Sequence, residues 1–270
     1  MLAALADPPI VLEVMGNTEH LTRPAVGIVG ARSASAAGLK LASQFASELG
    51  RAGLVTVSGL ARGIDTAVHT ASLSTGTIAC LAGGLDTFYP PENKSLQSAI
   101  ADMGLLVSEM PLGSTPTAQH FPRRNRLISG LSAGTLVVEA TERSGSLITA
   151  RYAGEQGRDV FAVPGSPLDG RSKGTNRLIK DGAYLAESAQ DILDHLTLFS
   201  HAPASKALSL QTTQPEGRKT QQPHRTQASL FSSSADTQNP PAGAATSLTA
   251  PAPVGENGND KALVMQALST

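Results

Sequence analysis

Gly38-Leu39-Lys40-Leu41-Ala42-Ser43-Gln44-Phe45-Ala46-Ser47-Glu48-Leu49 is followed by Gly50, Gly53 and the apolar run Leu54–Val57. Leu41, Phe45 and Leu49 recur at i, i+4 and i+8, which places them on one face of a helix. Gly50 and Gly53 end that helix and turn the chain into a strand. The same alternation extends from about Ala25 to Leu196. Strands are predicted at Val26–Val29, Leu54–Val57, Thr77–Leu81, Leu105–Ser108, Thr135–Val138 and Val160–Val163. Helices are predicted at Ala36–Gly50, Arg62–Ser74, Asn93–Asp102, Arg124–Leu131 and Ser146–Gly157. Near-continuous apolar strands alternating with helices imply a sheet whose two faces are both covered by crossovers. The expected fold is therefore α/β: a doubly wound, Rossmann-like, mostly parallel sheet with helices on both faces.

Three tyrosines, six phenylalanines and no tryptophan among 270 residues make the expected core aliphatic. The formal net charge is −1, so no global basic field points to a polyanion. Charge is uneven, however: Gln119 to Lys180 holds ten basic and five acidic residues, a local +5. Such a patch suffices to attract phosphates within a Debye length of about 8–10 Å. The single cysteine, Cys80, sits in an apolar run and reads as a small core hydrophobe, which excludes a disulfide scaffold or a cysteine zinc site. Met1 to Pro9 lacks the pattern of a signal peptide, and no run reaches the ~20 apolar residues that span a bilayer. A cytoplasmic protein with no membrane insertion is expected.

Composition divides the chain into an N-terminal extension at 1–23, the core at 24–199, a linker at 200–259 and a terminal fragment at 260–270. The linker is rich in Ala, Ser, Thr, Gln, Pro and Gly, with Phe231 its one aromatic residue, and is expected to be disordered. Leu263, Ala267 and Leu268 restore helical spacing, as at the start of a second small domain.

Ligands of open α/β sheets bind at the carboxyl ends of the strands. Those ends read Gly30-Ala31-Arg32-Ser33, Ser58-Gly59-Leu60-Ala61-Arg62-Gly63, Gly83-Gly84-Leu85-Asp86, Glu139 through Ser144-Gly145-Ser146, and Pro164-Gly165-Ser166. Glycine admits close backbone approach, and free amides at helix starts suit phosphate. The first turn lacks the G-x-G-x-x-G fingerprint and no Walker pattern exists, so no nicotinamide cofactor, no ATP hydrolysis and no other cofactor is expected. Catalytic constellations are thin: His69 reads as packed within a helix, His120 lacks a partner, and Asp65 fits a helix dipole. Asp86 and Glu139 fall near the crevice without a defined role.

Arg123-Arg124-Asn125-Arg126 concentrates planar donors that match phosphate oxygens, beside an asparagine able to read a base edge or a sugar. Residues two apart on a helix point about 200° from each other, so Arg124 and Arg126 cannot both face one crevice if Arg124–Leu131 is helical. One is expected to face ligand, and the other to pair with an acid such as Glu109 or Glu139.

These blocks together resemble the DNA-processing protein A (DprA/Smf) family, in order from about Pro8 to Ile192. The resemblance runs through Val26-Gly27-Ile28-Val29-Gly30-Ala31-Arg32, then Ser58-Gly59-Leu60-Ala61-Arg62-Gly63-Ile64-Asp65 with His69, and Gly84-Leu85-Asp86 with Tyr89-Pro90 and Asn93. It continues through Ser108-Glu109-Met110-Pro111, Phe121 to Ser132, Val138-Glu139-Ala140, and Ser144-Gly145-Ser146-Leu147-Ile148-Thr149-Ala150. It closes on Gly157-Arg158-Asp159-Val160, Val163-Pro164-Gly165 and Gly174-Thr175-Asn176. The chain departs from the family pattern at Ala37-Gly38, usually an aromatic before the glycine, and at Ala82, usually a glycine.

The resemblance implies a dimeric, non-enzymatic mediator that binds single-stranded DNA, protects it, and loads the RecA recombinase during natural transformation. It also implies that 260–270 begins a winged-helix domain. Arg32, Lys94, Arg124 and Arg126 would then neutralise successive phosphates, with Asn125 among the DNA-binding residues. Backbone amides at Gly30, Gly59 and Gly145, with Ser58, Ser144 and Ser146 beside them, would take others. Few aromatics limit stacking, so binding is expected to lean on phosphate and shape and to tolerate sequence, and to favour single strands because duplex phosphates cannot enter a narrow crevice. The alternative is a nucleotide-processing enzyme of the lysine-decarboxylase-like phosphoribohydrolase type. Neither Pro164-Gly165-Ser166 nor Gly83-Gly84-Leu85 completes the Pro-Gly-Gly-x-Gly-Thr turn of such enzymes.

Overall fold

The computed structural model describes Leu2 and residues 5–200, all within one compact unit. Apart from Ser200, which ends the last helix, the expected linker and terminal fragment lie outside the described residues. Eight strands form one sheet: β1 (Glu13–Gly16), β2 (Ala25–Val29), β3 (Val55–Ser58), β4 (Thr77–Cys80), β5 (Leu105–Ser108), β6 (Gly134–Val137), β7 (Asp159–Ala162) and β8 (Tyr184–Leu185). Their order is β1-β5-β4-β3-β2-β6-β7-β8, parallel throughout except for the antiparallel pair of β1 and β5. The helices are α1 (Ala36–Arg51), α2 (Ile64–Ser72), α3 (Lys94–Met103), α4 (His120–Gly130), α5 (Ser146–Glu155), α6 (Lys173–Lys180) and α7 (Ala189–Ser200).

Alternate residues of each central strand serve opposite faces, as the two-residue period of a strand requires. Val26 and Ile28 of β2, Leu136 of β6 and Phe161 of β7 pack with Phe45 and Leu49 of α1, Val68 of α2 and Ile192 of α7. Ala25, Val29, Val55, Val57, Val137 and Val160 pack on the other side with Leu127 of α4, Ala150 of α5 and Leu178 of α6. Cys80 is fully buried in that second layer, where desolvation raises its thiol pKa to about 12. Burial of this aliphatic surface stabilises the sheet by about 25 cal/mol per Å².

The six central strands fall within a residue of their predicted bounds. Two edge strands and two helices were not predicted. The segment read as an N-terminal extension supplies β1, the antiparallel edge, and α6 and α7 with β8 complete the opposite end. Helix α4 begins at His120, four residues before the predicted start. Pro122 lies within its first turn, where a missing N–H costs no intrahelical bond.

The chain leaves β2 toward β3 on one side, and β6 lies on the other. The β2 and β6 carboxyl ends therefore flank the point where strand order reverses, and the loops that follow them part to open a crevice.

Candidate functional site

Two adjoining cavities occupy that crevice. The larger, about 660 Å³, is lined by Gly30, Arg32, Asn125, Ser144, Gly145 and Ser146 among others, with Arg171 and Thr141 on its rim. The smaller, about 280 Å³, lies toward β3 and β4 and is lined by Gly59, Leu60, Arg62, Ala82, Thr87 and Tyr89 among others. Arg32, Ser33, Ala61, Phe121 and Arg124 line both, so they form the partition between them.

Arg32 is exposed on the loop after β2, with its guanidinium carbon 5.4 Å from the Phe121 ring centre. Phe121 in turn lies 5.4 Å, centre to centre, from Tyr89, which is 44% exposed. Two of the few aromatic rings in the chain thus stand at the crevice, where limited stacking was expected. Glu139, two residues beyond β6, anchors the Arg32 loop. Ser35 donates to its carboxylate from both backbone N–H (2.9 Å) and side-chain hydroxyl (2.5 Å). Gly38 makes room for this contact, since a Cβ there would lie 2.5 Å from the Glu139 carboxyl carbon.

Arg124 is buried beneath the partition. One Nη1 donates to the carbonyls of both Gly59 and Cys80, and Nε donates to Asn125 Oδ1 at 3.2 Å. Gly59 is required by this approach, because a Cβ would meet the guanidinium at 2.6 Å. Burial lowers the Arg124 pKa against the attraction of Asp65, and burial likewise raises that of Asp65. Asn125 continues the link, donating to the Gly145 carbonyl at 3.3 Å ahead of α5.

The arginines divide as their spacing requires. Arg126 lines neither cavity. Its Nη2 donates to Glu109 Oε1 at 2.5 Å and its Nη1 to the Asp7 carbonyl at 2.8 Å, with both partners of the ion pair largely buried. Arg124 is the crevice member, yet it is buried and bonded rather than solvated.

Other expected site residues fall differently. Ser58 is fully buried and donates to the Ile28 carbonyl at 2.7 Å, so it does not reach the crevice. The Gly59 amide, expected to meet phosphate, donates instead to Asp65 Oδ2 at 3.1 Å. Lys94, expected to meet phosphate, begins α3, exposed, with its ammonium 4.9 Å from the Phe88 ring centre and outside both cavities. Ser144 and Ser146 share a hydrogen bond at 2.7 Å in front of α5. His69 is fully buried and held neutral, with its pKa lowered to about 3 by desolvation and by Arg124. Arg171 was missed as a site residue. It is half-exposed on the rim and held by both oxygens of Asp169, a carboxylate only two residues away.

The family described as DNA recombination-mediator protein A matches residues 1–197. The chain belongs to that family. The DNA processing protein DprA of Streptococcus pneumoniae is 50% identical over 194 residues, which are 71% of this chain and 68% of that protein. The Smf protein of Escherichia coli is 45% identical over 203 residues, 74% of this chain but 54% of that protein. The X-ray structure of pneumococcal DprA superposes with a TM-score of 0.69 at 49% identity, covering 72% of this chain and 69% of that one. A DprA structure from Helicobacter pylori, described for its single-stranded DNA binding mode, has a TM-score of 0.69 at 32% identity and covers 73% and 92% respectively. This DprA/Smf chain therefore shares the mostly parallel, Rossmann-like sheet of both. Among its described residues no helix is long and apolar enough to cross a membrane.

Proposed function

We propose that this DprA/Smf chain binds single-stranded DNA in the crevice and passes it, as a homodimer in the cytoplasm, to a RecA recombinase during natural transformation. The observation that carries the reading is the partition itself: Arg32 and Phe121 stand over a buried Arg124, between a cavity rimmed by serines and arginine and one walled by Tyr89. Arginine donors take phosphate, and rings at the strand edge stack on unpaired bases of any sequence. A duplex keeps its bases stacked away from such rings. Binding is therefore expected to favour single strands.

The absence of chemistry is supported by how the titratable groups are committed. Asp65 holds two backbone amides, His69 is neutral and enclosed, and Glu139 is occupied by Ser35. None of the three is left as a general base for a phosphoribohydrolase. The test is a titration of matched single- and double-stranded oligonucleotides at physiological salt. Tighter binding of the single strand is expected, and equal or tighter duplex binding overturns the reading. A parallel assay for free base from nucleoside monophosphates should give none.

A further inference from the structure

The turn Gly59-Leu60-Ala61, between β3 and α2, has every backbone polar group taken by a side chain. Gly59 and Ala61 donate their N–H groups to Asp65 Oδ2 at 3.1 and 3.3 Å. Leu60 donates its N–H to His69 Nε2 at 3.3 Å. The Leu60 carbonyl accepts from Asn93 Nδ2 at 3.0 Å. That of Ala61 accepts from Thr66 Oγ1 at 2.8 Å and from Asn93 Nδ2 at 3.4 Å. The Gly59 carbonyl accepts from Arg124.

This many side-chain partners are needed because Leu60 has φ +55°, a left-handed conformation that leucine rarely adopts. Strained backbone persists only where its surroundings over-determine it. A backbone N–H can only donate, so His69 Nε2 is the acceptor and Nδ1 carries the proton. Nδ1 then donates to Thr77 Oγ1 at 2.8 Å, within a buried chain that runs on to Thr56 and Ser72.

We propose that His69 and Asn93, neither of which lines a cavity, are positioning residues for the DNA-binding arginine. They hold Leu60 in its left-handed turn, and the turn offers the Gly59 carbonyl to Arg124. With Cys80 giving the second carbonyl, the guanidinium is fixed at the partition. A relaxed turn withdraws one of those two acceptors, and Arg124 is no longer presented to phosphate. The inference rests on the reading that the crevice binds single-stranded DNA.

His69→Asn and His69→Gln separate this role from simple stability. Asparagine places its amide near the Nδ1 position and keeps a partner for Thr77, but does not reach the Leu60 amide. Glutamine reaches the Nε2 position with its oxygen and loses Thr77. Asn93→Leu removes the turn's donor from a second direction, at similar volume. Each variant is compared with the unsubstituted full chain by oligothymidylate titration across a salt series. The temperature is one at which circular dichroism shows all of them folded.

The expected result is an affinity loss of about tenfold for His69→Asn and Asn93→Leu, with the log–log salt slope reduced by ~0.7, one phosphate contact. His69→Gln should recover most of both, although its melting temperature also falls. Wild-type affinity and slope in folded His69→Asn and Asn93→Leu would overturn the inference alone. A flat salt response of the unsubstituted chain would overturn the DNA reading and this inference with it.

Discussion

Arg126→Ala should lower the unfolding free energy by roughly 3–5 kcal/mol, the cost of leaving one partner of a buried ion pair alone. The side chains of Arg126 and Glu109 are only 7% and 9% exposed, and their closest contact is 2.5 Å. Arg126 also ties the Asp7 carbonyl to α4, so the N-terminal segment loses its anchor as well. Among the described residues Arg123 also pairs with Glu109, at 3.7 Å and 62% exposed, and a solvated partner at that range compensates little. Urea unfolding followed by circular dichroism measures the loss. Single-stranded DNA affinity of the folded variant should stay near that of the parent, because Arg126 lies outside both cavities. A loss below about 1 kcal/mol would show that the pair is solvated.

Arg124→Ala should cost both stability and binding. It leaves the Gly59 and Cys80 carbonyls without their donor and the buried Asp65 carboxylate without its counter-charge. A destabilisation of roughly 3–5 kcal/mol is expected at neutral pH, together with a loss of DNA binding of about tenfold or more. The pH dependence has a definite sign. Burial raises the folded-state pKa of Asp65 above its ordinary 3.8, and Arg124 opposes that rise. A group raised on folding favours the native state below its unfolded pKa and disfavours it as pH climbs through the folded value. The deficit of Arg124→Ala, in which the rise is unopposed, should therefore be largest at neutral pH and shrink as pH falls toward 3.8. Arg124→Lys should not restore the site, because an ammonium lacks the planar fork that meets two carbonyls and Asn125 together. Full stability with lost binding would mean that Arg124 serves the ligand alone.

The doubly wound core was legible because its strands are continuous apolar runs and its early helices carry one apolar face. The edges were not. Val14 and Met15 of β1 are exposed, so no alternation marks the strand, and β8 is two residues long. In α6, Lys-Gly-Thr-Asn-Arg precedes the apolar pair Leu178 and Ile179, too little to reveal a period.

At the site, glycine-rich strand ends and arginine clustering pointed to the carboxyl edge of the sheet, where the parallel topology gathers those ends and the two cavities lie. Local sequence could not show which groups the fold would consume. Asp65 reaches back six residues to take the Gly59 amide, and Ser58 turns to the Ile28 carbonyl. Tyr89 and Phe121 are far apart in sequence, so their juxtaposition follows from packing alone.

The measurement that bears most directly on the crevice is the salt dependence of single-stranded DNA binding by the parent chain and by Arg32→Ala. Arg32 is exposed, its contact with the Phe121 ring lies at the partition, and its loss should leave the melting temperature nearly unchanged. The log of the association constant should fall linearly with the log of salt concentration for the parent, with a slope of roughly −0.7 for each phosphate engaged. Arg32→Ala should bind more weakly at every concentration, with a slope shallower by ~0.7. Parallel lines for parent and variant, or a flat line for the parent, would contradict a phosphate-binding crevice at this edge of the sheet.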